Sequence, residues 1–117
     1  MPVFHQMHQF VLWLYPTVNK FPKNQRFVLG QRLERQAIDL IELLVEAKFS
    51  SRKFTPLKKA SIKINTLLVL IRLARDLNFL SANQYEFASK NIDEISSMIG
   101  GWLKTESSFS KQSNTLD

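Results

Sequence analysis

Leu67-Leu68-Val69-Leu70-Ile71-Arg72-Leu73-Ala74 closes a longer stretch, Ala47 to Arg75, on which the reading of the fold turns. Seven of those eight residues are apolar. A helix that is apolar nearly all round has to be covered on more than one side. From Ala47 onward the stretch also carries eight basic residues, Lys48, Arg52, Lys53, Lys58, Lys59, Lys63, Arg72 and Arg75, and no acid. Charge of a single sign needs free solvent or an anionic partner. The apolar excess of Leu67 to Ala74 therefore predicts burial within the protomer and between subunits, and the charge of Lys48 to Lys63 predicts a basic outer surface.

The segments on either side show helical rather than alternating apolar spacing. Thr55-Pro56 reads as N-cap and first-turn proline of a helix with Leu57, Ala60, Ile64, Leu67, Ile71 and Ala74 on one stripe. Ile62, Val69, Leu70 and Leu73 lie off that stripe. Asn78 is placed to stop the helix in a left-handed conformation, and Ser81-Ala82-Asn83-Gln84 is a capping box for the next. That last helix has Tyr85, Ala88, Ile92, Ile95, Ile99 and Trp102 in heptad phase and continues past Gly100-Gly101 to about Lys104. Upstream, the polar connection Ser50-Ser51-Arg52-Lys53 follows a helix that starts with Pro22 and runs to about Phe49. Its stripe is Gly30, Leu33, Ala37, Leu40, Leu44 and Ala47, opposite a polar face of Gln31, Arg35, Asp39, Glu42 and Glu46. A mid-helix glycine costs about 1 kcal/mol relative to alanine, so Gly30 predicts close approach of a neighbouring helix or a ligand backbone. The first helix, about Val3 to Asn19, places Met7, Val11, Leu14, Val18 and Phe21 together, with Pro16 predicting a kink or a tightened turn. Its block Phe10 to Tyr15 is apolar on all sides.

Four helices with short connections define an all-α, up-down-up-down four-helix bundle over residues 1–104. Residues 105–117 lack periodicity and read as a disordered tail. A chain of 117 residues, 44% of them hydrophobic, is expected to form one domain with a real core. Its net charge of +6 is uneven: residues 1–79 hold 13 basic and 5 acidic side chains, residues 80–117 hold 3 and 5. With no cysteine there is no disulfide framework and no thiolate zinc site. No signal-peptide pattern is visible, and the longest apolar runs fall far short of the roughly 20 residues of a membrane span. A cytoplasmic protein is the expectation.

Catalytic and metal motifs are missing. His5 and His8, the two histidines, read as exposed residues without further ligands. Asp39, Glu42 and Glu46 fall on a polar helix face near Arg35, a solvated face or subunit contact rather than an acid-base pair. No nucleophile elbow, phosphate-binding glycine loop or Cys-His pair occurs, so neither enzyme activity nor a cofactor is expected. The cations are the stronger signal. Lys20, Lys23, Arg26, Arg32 and Arg35, with Glu34 as the one acid among them, add a second cluster to the first. Multiple positive charges suit phosphate recognition, which is driven by counterion release and needs no fixed base pattern. The candidate nucleic-acid-binding set is Lys20, Lys23, Arg26, Arg32, Lys48, Arg52, Lys53, Lys58, Lys59, Lys63, Arg72 and Arg75.

A string of motifs carries a family resemblance: Leu14-Tyr15-Pro16, then Lys20-Phe21-Pro22-Lys23-Asn24-Gln25-Arg26-Phe27-Val28-Leu29-Gly30-Gln31-Arg32, and Ile41-Glu42-Leu43-Leu44-Val45-Glu46-Ala47. It continues with Leu70-Ile71-Arg72-Leu73-Ala74-Arg75-Asp76-Leu77, Gln84-Tyr85-Glu86 and Ile99-Gly100-Gly101-Trp102-Leu103-Lys104. In this order they resemble Avd, the accessory variability determinant family of diversity-generating retroelements, over about residues 7 to 104. The wider superfamily includes four-helix proteins encoded in 23S ribosomal RNA intervening sequences. The resemblance implies a homopentameric barrel of four-helix protomers without a catalytic site. It also implies binding to the retroelement's reverse transcriptase and to RNA or DNA, supporting mutagenic cDNA synthesis and retrohoming. Arg26, Arg32, Arg72 and Arg75 lie inside the matched motifs, whereas Lys58, Lys59 and Lys63 rest on charge alone. Two alternatives stay open on the residues themselves: a protein of a ribosomal RNA intervening sequence, and a protein-interaction bundle whose lysines are merely solvated.

Overall fold

The computed structural model describes residues 2–116, with side chains described for residues 2–106. From residue 107 on, the tail expected at 105–117 lies outside the described side chains. Among the described residues every element is helical. Helix α1 is Pro2–Asn19. Helix α2 is a continuous helical run in three parts: an opening turn Lys23–Gln25, a π-turn Arg26–Gly30 and the α-helical Gln31–Phe49. Helix α3 is Phe54–Asp76 and α4 is Ala82–Leu116.

Each helix packs on two neighbours, α1 on α2 and α4, and α3 on α2 and α4. This is the closed square of an antiparallel four-helix bundle. A cross-section of 22 × 21 Å fits a two-by-two array of helices spaced 8–10 Å apart. The core comes from residues recurring at alternate steps of three and four. They are Leu33, Ala37, Leu40, Leu44 and Ala47 on α2, Leu57, Ala60, Ile64, Leu67, Ile71 and Ala74 on α3, and Ala88, Ile92, Ile95 and Ile99 on α4. Each fully buried Leu or Ile contributes about 1.5–3 kcal/mol. On α1 the core position falls to Phe10, fully buried, rather than to Val11 of the expected stripe, which is half-buried. The larger ring fills the interior and lies 5.7 Å from the Trp13 ring, which in turn meets Phe87 of α4 at 5.2 Å.

Three local expectations hold in atomic detail. Asn78 has φ 66°, and the Phe79 N–H donates to Ala74 O while the Asn78 N–H donates to Arg75 O, the Schellman arrangement. Ser81 and Gln84 form the reciprocal capping box: the Gln84 N–H donates to Ser81 Oγ at 3.1 Å and the Ser81 N–H to Gln84 Oε1 at 2.9 Å. Gly30 is the close approach it was expected to be, since a Cβ there would stand 2.6 Å from Val18 Cγ1 of α1.

Other local readings differ in part. Helix α1 continues through Pro16. The carbonyl that loses its donor belongs to Leu12, on the exposed face, where solvent is free to satisfy it. The tightened turn comes just after, with Lys20 N–H to Thr17 O and Phe21 N–H to Val18 O. Pro22 is the N-cap of α2 rather than its first residue, because its ψ of 140° is extended. The π-turn was not anticipated: the Gln31 N–H reaches Arg26 O, five residues back. Thr55 does not cap α3, which begins at Phe54 after Lys53 with no side-chain cap bond. Pro56 is tolerated because it still lies among the first four residues, whose N–H groups have no intrahelical acceptor. At the far end α4 passes Gly100-Gly101 and the boundary expected at Lys104, the Thr105 hydroxyl donating to Gly101 O at 3.1 Å.

Candidate nucleic-acid interface

The fold sorts the candidate cations into three groups. The rings of Phe21 and Phe79 meet at 5.6 Å, so the α1–α2 and α3–α4 corners share one end of the bundle. Lys20, Lys23 and Arg72 are exposed there, and Arg26 and Arg75 are half-buried. Arg26 Nε is buried without a hydrogen-bond partner. Beside it the π-turn holds Phe27 and Val28 outward at 64% and 66% exposure. Arg75, in the last turn of α3, complements the negative end of the helix dipole.

At the opposite end α2 passes into α3. Lys53 Nζ donates to Ala47 O and Lys48 O, both at 2.8 Å. These are carbonyls of the last turn of α2, which have no intrahelical donor, so this ammonium closes the helix end. The Ser50 hydroxyl accepts from the Arg52 N–H at 3.1 Å and fixes the connection. Lys48 Nζ lies 5.4 Å from the ring centroids of both Phe4 and Phe49, within cation–π range. Arg52 is exposed.

Between the ends, Arg32, Lys58, Lys59 and Lys63 lie along α2 and α3. Arg32 borders two open grooves. One, between α1 and α2, also includes Tyr15, Val28, Arg35 and Ile38; the other, between α2 and α3, includes Asp39, Glu42, Glu46, Lys59 and Lys63. Lys63 Nζ lies 3.6 Å from Asp39 Oδ2, a partly exposed pair of the kind worth about 0–1 kcal/mol. Of the twelve candidate cations it alone has an ion-pair partner among the described residues. In the α1–α2 groove desolvation raises the Glu34 carboxyl above the ordinary carboxylate value.

Lys20, Lys23, Arg26, Arg72 and Arg75, distant in sequence, are thus brought to one end, whereas Lys48 and Arg52 stand at the other. Lys53 faces backbone carbonyls. Among the described residues no three of His, Asp and Glu converge as metal ligands would, and no helix is long and apolar enough to cross a membrane. Reading the cations alone passed over the aromatic residues interleaved with them: Phe49 is 77% exposed and Phe54 44%. The available signal was a phenylalanine beside a lysine on each side of a polar connection.

Fold and surface together define a small all-helical bundle with exposed cations at both ends. A model of the bAvd-like family matches residues 1–106. The chain belongs to that family. No curated protein matches it.

Proposed function

We propose that this protein is the non-catalytic accessory subunit of a diversity-generating retroelement. In this reading it acts in the cytoplasm as a homopentameric barrel that binds the element's reverse transcriptase and RNA or DNA, without sequence specificity, and so supports mutagenic cDNA synthesis and retrohoming. The family match over residues 1–106 is the observation that carries the reading. Two features of the surface agree with it. The candidate cations other than Lys63 lack carboxylate partners among the described residues, as a phosphate-binding surface requires. Ile62, Val69, Leu73 and Leu77 leave an apolar line along the outside of α3, exposed by 44–66%, which a neighbouring subunit would cover.

Sedimentation velocity with and without a labelled RNA, repeated across salt, tests oligomer and binding together. The expected result is a pentameric mass and an affinity that falls at least about a hundredfold between roughly 50 and 200 mM salt. A monomeric mass, or binding indifferent to salt, overturns the reading. Co-purification with a diversity-generating retroelement's reverse transcriptase tests the second partner.

A further inference from the structure

We infer that the α2–α3 end of the bundle is a stacking site for single-stranded nucleic acid, with Phe49 and Phe54 taking bases and Lys48 and Arg52 taking the adjoining phosphates. This rests on the proposed nucleic-acid role and adds the form of nucleic acid and the residues that select it. Phe49 has the highest exposure of any large apolar side chain among the described residues, 77%. Its ring is approached by the Lys48 ammonium in a cation–π contact. Lys48 Nζ stands 5.4 Å from both Phe4 and Phe49, a positive charge beside an open aromatic surface. Four residues beyond the connection's start, Phe54 opens α3 at 44% exposure.

The connection is built rather than loose. Lys53 ties it to the carbonyls of Ala47 and Lys48, and Ser50 holds the Arg52 N–H. Aromatic rings presented on a fixed backbone beside cations are what a single strand requires, because every base has a π-face and stacking is tolerant of sequence. A duplex offers no free base faces to such rings. Charge complementarity also favours a strand over a flat anionic membrane. The basic residues do not stop at the tip but continue into α3 through Lys58 and Lys59, with Arg72 about 20 Å further along the helix at the other end. At the opposite end Phe27 is exposed too, but no cation is held against its ring among the described residues.

The test measures binding of the full-length protein to a fluorescent oligo(dT) strand, to a duplex of the same length and to phosphatidylglycerol vesicles. Variants are Phe49→Ala, Phe54→Ala, Phe49→Trp and Arg52→Ala, with oligomer mass measured for each. The proposal expects the strand to be preferred over the duplex. Each alanine variant at a phenylalanine should weaken strand binding about tenfold with the log-log salt slope unchanged. Phe49→Trp should retain binding, and Arg52→Ala should lower the slope by about 0.7. Equal losses on strand and duplex, or none, overturn the stacking site and leave the basic-surface reading intact. Wild-type protein that binds no nucleic acid removes both. A loss of vesicle binding without a loss of strand binding reassigns the tip to membranes, and a reduced oligomer mass in Phe49→Ala reassigns it to a subunit contact; either overturns the proposal.

Discussion

Gly30 in α2 and Val18 in α1 are so close that a Cβ on Gly30 would stand 2.6 Å from Val18 Cγ1, with Gln25 O at 3.2 Å. Val18 is buried and β-branched, so its methyl group has few rotamers to retreat into. Gly30→Ala gains about 1 kcal/mol of helix propensity but incurs overpacking of about 1–3 kcal/mol, and a net loss of stability is expected. In a Val18→Ala background the methyl clash is removed and only the approach to Gln25 O remains, so the same substitution should cost less. Urea denaturation of the four proteins as a double-mutant cycle reads the coupling. Gly100 and Gly101 provide the contrast, since a Cβ at either meets nothing within 4 Å, and alanine there should stabilise by up to about 1 kcal/mol.

Lys53 differs from the cations around it because its ammonium closes the end of α2 through Ala47 O and Lys48 O. Lys53→Met keeps most of the aliphatic stem and removes the donor. The expected cost is about 1–2 kcal/mol, in the range for hydrogen bonds to a charged group at a half-buried site. Thermal unfolding of Lys53→Met and Arg52→Met distinguishes the two roles: Lys53→Met should lower the midpoint and Arg52→Met leave it nearly unchanged. Equal midpoints would show that Lys53 is one more solvated charge.

What was legible in the sequence is what depends on neighbours in the chain. The left-handed Asn78 and the Ser81–Gln84 box are local hydrogen-bond patterns, readable from residue type and spacing. The buried stripes of α2, α3 and α4 follow from helical period alone. Gly30 was legible as a cost needing compensation, although the π-turn ending at it was not, because that wide turn depends on how α2 meets Val18 and Phe21 in space. Thr55 was misread, and the capping role of Lys53 went unread, for a similar reason. The carbonyls that attract Lys53 lie five and six residues back, and α3 starts at Phe54, ahead of Thr55. On the candidate surface, the identity of the cations could be read but not which end each one occupies. The exposed rings beside them were hidden because an apolar residue next to a helix end reads as core until the fold shows which way it faces.

Glu34 sits where desolvation raises its carboxyl above the ordinary value. The folded protein therefore binds this proton more tightly than the unfolded chain. Between the two pKa values the unfolded state holds fewer protons, so Glu34 makes stability fall as pH rises through that window and remain lower above it. Glu34→Gln removes the penalty. Relative to the parent it should be stabilised at about pH 7, with the gain shrinking as pH falls towards the ordinary carboxylate range near about pH 4. Urea midpoints at both pH values check the sign, which is wrong if the gain is larger in acid.

Asp39 holds Lys63 at 3.6 Å in the groove between α2 and α3. The pair is partly exposed, so Coulomb attraction there is nearly offset by side-chain ordering and solvent screening. Its larger effect is on the surface field, where the carboxylate neutralises one cation in a row that includes Lys59 and Arg32. Asp39→Asn keeps the shape of the side chain while releasing the Lys63 charge. Stability should change by less than about 1 kcal/mol. Nucleic-acid affinity at low salt should rise severalfold, and the log-log salt slope should steepen by up to about 0.9 as one more phosphate contact forms on duplex. Lys63→Gln should do the reverse if that lysine belongs to the binding surface. An Asp39→Asn variant whose affinity and slope match the parent would place phosphate binding elsewhere, on the bundle ends that carry Lys20, Lys23, Arg52 and Arg72.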